Sequence, residues 1–191
     1  MTESATARQR RQALIQATIQ SIHSRGSLDV SVSEIARRAG VSSSLAHHYF
    51  GNKDSLVVAT MRHLLQEFHA AASSAVARET TPRGRLSALI RASFGPGQFD
   101  AETVSAWLVF YVRAQEAPEA ARLLRVYVRR LDSNLAVLLR PLAGGRAGLI
   151  AGGIGALIDG LYIRCALGHG VPDAATAIAI TEDYLDAQLA R

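Results

Sequence analysis

The sequence predicts an all-α protein of about nine helices. Apolar residues recur at three- and four-residue spacing in nearly every segment, strand-like alternation is absent, and the breaks fall at glycine- and proline-containing turns. The 191 residues are 49% hydrophobic and 19% charged, a balance that suits a chain with a sizeable core rather than a disordered one.

Each helix has its own signal. Ala13, Leu14, Ile15, Ala17, Ile19 and Ile22 form the apolar side of a first helix that ends before Gly26. Ser31 to Glu34 has the capping-box pattern: Ser31 is the N-cap and Glu34 is placed to reach back to its N–H. The second helix then covers 32–39, and Gly40 ends it as a left-handed C-cap. Val41 plugs the turn, Ser42 caps a third helix of about two turns, and Gly51-Asn52 breaks it. A long fourth helix is expected over 53–77. After Thr80-Thr81-Pro82, helices are expected over roughly 83–95, 100–115, 117–140, 145–169 and 173–189.

A short helix, a glycine turn and a second short helix make the helix-turn-helix pattern, in which the second helix enters the DNA major groove. Ile35, Ala36 and Ala39 are expected to bury one face of the second helix, and Leu45 and Tyr49 to anchor the third. Ser43, Ser44, Ala46, His47 and His48 are then left facing outward. Serine hydroxyls suit phosphates or base edges, and histidine can donate to phosphate oxygens or guanine acceptors. Lys53, the only lysine, begins a helix whose N-terminal dipole also attracts phosphate.

Charge supports this placement. The net charge is +5, and residues 1–53 carry seven Lys/Arg against three Asp/Glu, a balance of +4. The rest carries fourteen against thirteen, a balance of +1, so the positive field sits beside the helix-turn-helix.

Residues 31–56, SVSEIARRAGVSSSLAHHYFGNKDSL, resemble the DNA-binding signature IAxxAGVSxGxxYxYFxxKxxL of the TetR family of bacterial repressors. Ile35, Ala36, the run Ala39-Gly40-Val41-Ser42, Tyr49-Phe50, Lys53 and Leu56 match in register. Ser44 replaces the usual Gly, and His47 stands where the family often has Tyr. The resemblance continues through ATMRHL (59–64), QFD (98–100), AWLVFY (106–111), SNL (133–135) and ALIDGLYIRCAL (156–167). These pieces are similar to the BetI group, the choline-responsive repressors of betaine synthesis genes. Tyr111 and Tyr162 stand where that group commonly carries Trp.

The resemblance implies a TetR-like architecture: a helix-turn-helix DNA-binding domain over 8–68, with the motif at 31–50, and an effector-binding and dimerisation domain over 69–191. It implies a cytoplasmic homodimer on a pseudo-palindromic, double-stranded DNA operator, released by choline or a related quaternary ammonium. The alternative is a TetR-type repressor of another operon, for efflux or lipid metabolism. On this reading Ser31, Ser42, Ser43, Ser44, His47, His48, Tyr49 and Lys53 contact DNA.

The remaining helices supply candidate effector and dimer residues. Trp107, Phe110 and Tyr111 lie at i, i+3, i+4 on one helix face, and Phe68, Phe94 and Tyr127 are further aromatic candidates beside Phe99. Such rings can enclose a quaternary ammonium through cation–π contacts, or simply fill the core. Helix four runs from Lys53 through Met61 and Leu64 to Phe68, so a ligand beside Phe68 is placed to tilt it. Gly148, Gly152, Ala156 and Gly160 recur every four residues; each glycine costs roughly 1 kcal/mol of helix propensity against Ala. Close approach of a twofold-related helix is the expected compensation, with packing inside the protomer as the competing one. Ala177, Ile178, Thr181, Leu185 and Leu189 on the last helix complete the expected dimer face.

Other chemistries find little support. Gly153-x-Gly155 is followed by Ile158 where a dinucleotide loop needs its third glycine, and no strand precedes it. HExxH and GxSxG are absent and His63 and His69 are six apart, so no metal, cofactor or catalytic residue is expected and a small helical enzyme is the weakest reading. Cys165 is the single cysteine, which excludes an intramolecular disulfide and makes a reducing compartment the default. The longest apolar run, around 149–163, contains Asp159 and reads as too short to span a bilayer.

Overall fold

The computed structural model describes residues 4–26, 30–168 and 173–191. Among them are nine α-helices: α1 (Ala5–Arg25), α2 (Val32–Arg38), α3 (Ser43–Phe50), α4 (Lys53–Ala77), α5 (Pro82–Ser93), α6 (Ala101–Glu116), α7 (Pro118–Ala143), α8 (Ala147–Ala166) and α9 (Ala174–Leu189). A 3-10 turn, Gly144–Arg146, joins α7 to α8. No strand occurs among the described residues.

Capping explains most of the boundaries. Ser4, Ser31, Ser42, Thr81 and Asp173 each accept a backbone N–H three residues on, closing one orphan donor at the start of α1, α2, α3, α5 and α9. Gly40 has φ +67° and Gly26 has φ +64°, so both helix ends use the left-handed conformation in which a side chain would be strained.

The helices form two compact units. The first comprises residues 1–64 and 101–123, and the second comprises 65–100 and 124–191. The two units divide within the continuous helix α4, between residues 64 and 65, where the expected domain boundary was at residue 68. The first unit, however, also takes in α6, which packs on α1 and is tied to it by His23 Nδ1 and Ser105 Oγ at 3.0 Å. Leu14, Ile35, Leu56, Met61 and Phe110 are at the centre of this unit.

In the second unit α8 packs on α9 and α9 on α5. Arg83 of α5 reaches Glu182 and Asp186 of α9, both at 2.6 Å. Burial alone would lower the Arg83 pKa, but the bonds to Asp186 and Glu182 outweigh it and hold it raised. The Tyr162 hydroxyl donates to the Ser93 carbonyl at 2.6 Å, joining α8 to the end of α5.

Contrary to the expectation from the sequence, the apolar region is not too short to span a bilayer. An 18-residue window within Pro118–Ala166 reaches a mean hydropathy of 1.5, and by length and composition the segment is long and apolar enough to cross a membrane. One acid does not offset so many Leu, Ile, Ala and Gly residues. In the fold the apolar side of α8 serves the bundle instead: Ile150, Ile154, Ile158 and Leu161 are buried in this unit.

Candidate DNA interface and effector site

The helix-turn-helix is built by local bonds. Val41 N–H donates to the Ala36 carbonyl at 3.0 Å, which folds the turn back on α2. Ser33 and Ser43 share a hydroxyl–hydroxyl bond of 2.9 Å between α2 and α3. The Ser31 hydroxyl accepts from Glu34 N–H at 3.1 Å, and the Glu34 carboxylate accepts from Arg25 at 2.8 Å. That Arg25 bond lowers the Glu34 pKa.

One anchoring assignment is wrong. Ala46, expected to face outward, is 0% exposed, and with Phe50 it forms the buried side of α3. Leu45 and Tyr49, the expected anchors, are only half-buried. The inward stripe is therefore 46 and 50, one residue on from the expected 45 and 49. At a fully enclosed position a methyl group fits where a leucine would overpack. Arg11 of α1 stacks its guanidinium 5.1 Å from the Phe50 ring centre, covering the other side.

The expected DNA contacts remain on the surface or at its edge. Ser31, Ser42, Ser44, His47 and His48 are exposed, while Ser43, Tyr49 and Lys53 are half-buried. The ring of His48 lies 5.8 Å from that of Tyr49. Three assigned serines already hold hydrogen bonds: Ser31 and Ser42 are N-caps, Ser42 Oγ accepting from Leu45 N–H at 3.2 Å, and Ser43 pairs with Ser33. A capping hydroxyl still has its own hydrogen to donate.

At the start of α4, Asn52 accepts from Ser55 N–H at 2.8 Å beside Lys53. The neighbouring Asp54 is held by Arg113 of α6 at 2.7 Å, and Arg113 also bonds Glu116 at 2.7 Å. The Asp54 bond raises the Arg113 pKa. Sequence reading missed this bridge because its partners are 59 residues apart. The bridge places an arginine over the one carboxylate next to Lys53.

The six expected effector residues belong to separate units. Trp107, Phe110 and Tyr111 are in the first unit, with ring centres 6.2 Å apart for Trp107–Phe110 and 5.6 Å apart for Trp107–Tyr111. Phe110 is fully buried and Trp107 is 4% exposed. Tyr111 is half-buried beside them.

Phe68, Phe94 and Tyr127 are in the second unit. Phe68 meets Tyr127 edge-on at 6.5 Å, and Phe94, Phe99 and Tyr162 form a triangle with separations of 5.1, 5.1 and 6.2 Å. Phe99 is among the aromatic candidates of the sequence; Tyr162 is the member that is not. Burial raises the pKa of Tyr127, and the negative field of Asp159 and Asp132 adds to the effect. Burial likewise raises that of Tyr162, followed by Tyr127, Asp100 and Asp159. Asp159 therefore acts on both phenols, with rings and a carboxylate in one neighbourhood. A separate cleft of about 390 Å³ is lined largely by alanines with Arg78, Glu79 and Arg91, a poor lining for an organic cation.

The glycines of α8 divide. A Cβ on Gly153 would collide with the Tyr184 phenol, and one on Gly155 would stand 3.2 Å from Asp132 Oδ1. Those two serve packing inside the protomer. Gly148, Gly152 and Gly160 have open space where a side chain would go, and Ala156 is exposed. On α9, Ile178 and Leu189 are half-buried, but Leu185 is fully buried, as are Ala177 and Thr181. Leu185 has no surface to give a partner, so its place in the dimer face is withdrawn. The heptad-like stripe on α9 seals the protomer.

Among the described residues no group of three His, Cys, Asp or Glu side chains converges as a metal site.

Two successive capped helices with an exposed polar recognition face, ahead of a helical body, define a helix-turn-helix transcriptional regulator. The family model for bacterial regulatory proteins of the tetR family matches residues 14–60, and that for the C-terminal part of BetI-type transcriptional repressors matches 82–190. The HTH-type transcriptional regulator BetI of Brucella anthropi is 55% identical over 181 residues, covering 94% of this chain and 93% of that one. BetI of Rhizobium meliloti is 51% identical over 94% of this chain and 89% of its own. The chain belongs to the TetR family, with a C-terminal domain of the BetI type, and its relatives are transcriptional regulators rather than enzymes.

Solved structures agree in fold. A protein from Pseudomonas aeruginosa PAO1 described as a transcriptional regulator superposes with a TM-score of 0.82 at 28% identity, covering 96% of this chain and 91% of that one. A protein from Saccharomonospora viridis, solved in complex with choline, superposes with a TM-score of 0.81 at 21% identity over 92% of this chain and 95% of its own.

Proposed function

We propose that the protein is a cytoplasmic, homodimeric repressor of genes for converting choline to glycine betaine. It binds a pseudo-palindromic operator and leaves it when choline or a related quaternary ammonium binds. The functional division falls near residue 68, with DNA binding before it and effector binding and dimerisation after it. Ser44, His47 and His48 face the major groove from α3. Ser31, Ser42, Ser43, Tyr49 and Lys53 hold the flanking backbone.

The observation that carries the effector reading is the cluster of Phe68, Phe94, Phe99, Tyr127 and Tyr162 with Asp159 acting on both phenols. Aromatic faces and a carboxylate are what a cation without N–H donors can use, since it makes no directional hydrogen bonds. The choline bound by the S. viridis regulator of the same fold supports this choice, as does the level of identity to BetI regulators. Release requires that choline favour the DNA-incompetent state, not merely bind. Lys53 and Phe68 both belong to α4, so the phosphate contact and one member of the cluster are carried on the same helix.

The open glycine stripe Gly148, Gly152 and Gly160, with exposed Ala156, supports dimerisation through α8, and half-buried Ile178 and Leu189 extend it. Two such protomers present two recognition helices to half-sites spaced by whole helical turns. Gly152→Leu should give protomer-sized particles in sedimentation; an unchanged dimer mass would remove α8 from the interface.

The deciding experiment titrates choline, betaine aldehyde and unrelated hydrophobic cations against the protein on a duplex selected from a random pool. Choline should lower affinity by a factor in the range of roughly 5–150. Release by the unrelated cations with no response to choline would favour a TetR-type regulator of another operon, such as an efflux system.

A further inference from the structure

The C-terminal turn of α3 sets the hydrogen-bonding polarity of its histidine. Gly51 caps α3 with φ +73°, and its N–H donates to the His47 carbonyl at 2.7 Å. The Gly51 carbonyl turns back on the same residue and lies 3.0 Å from His47 Nδ1. A carbonyl oxygen can only accept, so the hydrogen in this bond is carried by Nδ1. A neutral imidazole has one N–H and one bare nitrogen, and a bond at one nitrogen decides the character of the other. Nε2, on the far edge of an exposed ring, is therefore a lone-pair acceptor.

This reverses the expectation from residue type, in which the histidine donates to phosphate or guanine. Phosphate oxygens, guanine O6 and N7, and thymine O4 are all acceptors, and none of them bonds to a bare Nε2. The major-groove donors are the amino groups, N6 of adenine and N4 of cytosine. We propose that His47, locked by the Gly51 carbonyl as the Nδ1–H tautomer, is a specificity-determining residue that accepts from the amino group of an adenine or cytosine on the strand it faces. The proposal rests on the DNA-binding reading above and adds the polarity of one base contact.

The placement of α3 favours a base edge over the backbone. Ala46 and Phe50 hold the helix by its inner face, and Ser44 and His48 are exposed on the outer side together with His47. Lys53, at the start of the next helix, is the side chain suited to phosphate.

Two measurements test this on the full-length protein. First, long-range 15N–1H correlation spectra at a pH roughly 1.5 units above the ordinary histidine value of about 6.5 report which ring nitrogen is protonated. His47 should be an Nδ1–H tautomer, and an Nε2–H ring would overturn the proposal whatever the DNA result. Second, duplexes are selected from a randomised pool by the wild type, His47→Ala and His47→Arg. The wild type should enrich a twofold-symmetric site with adenine or cytosine at one position of each half-site, the enriched base naming the donor. His47→Ala should reduce discrimination there by roughly 5- to 10-fold, the value of one hydrogen bond. His47→Arg should move the preference to guanine, the base that arginine reads through O6 and N7. Identical preferences for wild type and His47→Ala, or a uniform loss over all sequences, would sink the base contact while leaving DNA binding in place. A wild type that enriches no site at all would overturn the DNA-binding reading itself, and this inference with it.

Discussion

The two compact units differ in how far apart along the chain their candidate functional groups originate. In the first, the turn between α2 and α3 is made by bonds spanning three to five residues: Ser31 to Glu34, Ser42 to Leu45, Ala36 to Val41. In the second, the aromatic cluster draws Phe68 from α4, Phe94 and Phe99 from the end of α5 and the loop after it, Tyr127 from α7 and Tyr162 from α8. A surface made by local bonds leaves a short readable pattern, whereas a cluster made by long-range packing leaves scattered residues. The aromatic spacing on α6 was the more visible signal and marks the core of the first unit.

The largest expected effect tests that assignment. Phe110→Ala should cost about 3–5 kcal/mol in denaturant unfolding, as for a fully buried ring. A loss below about 1 kcal/mol, with altered choline binding, would return the Trp107 group to the receptor.

Leu185→Ala should cost about 2–5 kcal/mol and leave the dimer mass unchanged, because its side chain is enclosed by its own protomer. Dissociation without loss of protomer stability would put α9's inner stripe back in the interface.

The third prediction concerns pH. Burial raises the folded-state pKa of Tyr127 and of Tyr162 above the ordinary value of 10.0. The unfolded chain releases these protons first, so stability is unaffected below pH 10 and falls as pH rises beyond it. The slope should approach about 1.4 kcal/mol per pH unit for each phenol kept neutral by the fold. Unfolding curves from pH 9 to 11 should be flatter above pH 10 for Tyr162→Phe; unchanged curves would mean that the cluster is wet.

The smallest expected effect falls on the first unit. Lys53→Ala should weaken binding to all duplexes about equally and reduce the salt slope by roughly one, the mark of a single phosphate contact. A changed base preference at constant slope would make Lys53 a reader rather than a clamp.

Sequence alone determined the helix-turn-helix, because its caps, its positive-φ Gly40 and its polar outer face are short-range requirements that few residue types meet. It also determined the helical class and the nine segments, since 3.6-residue periodicity and turn chemistry are local. Which face of each helix turns inward was decided by tertiary structure. Ala46 rather than Leu45 seats α3, and Leu185 faces its own bundle, because helix–helix contact selects volumes that fit across an interface rather than apolar residues as such. The grouping of Tyr162 with Phe94 and Phe99, and the bond from Gly51 that orients His47, likewise exist only once the backbone has closed. Neither a ring 63 residues away along the chain nor a carbonyl turned back by a left-handed glycine can be read from spacing.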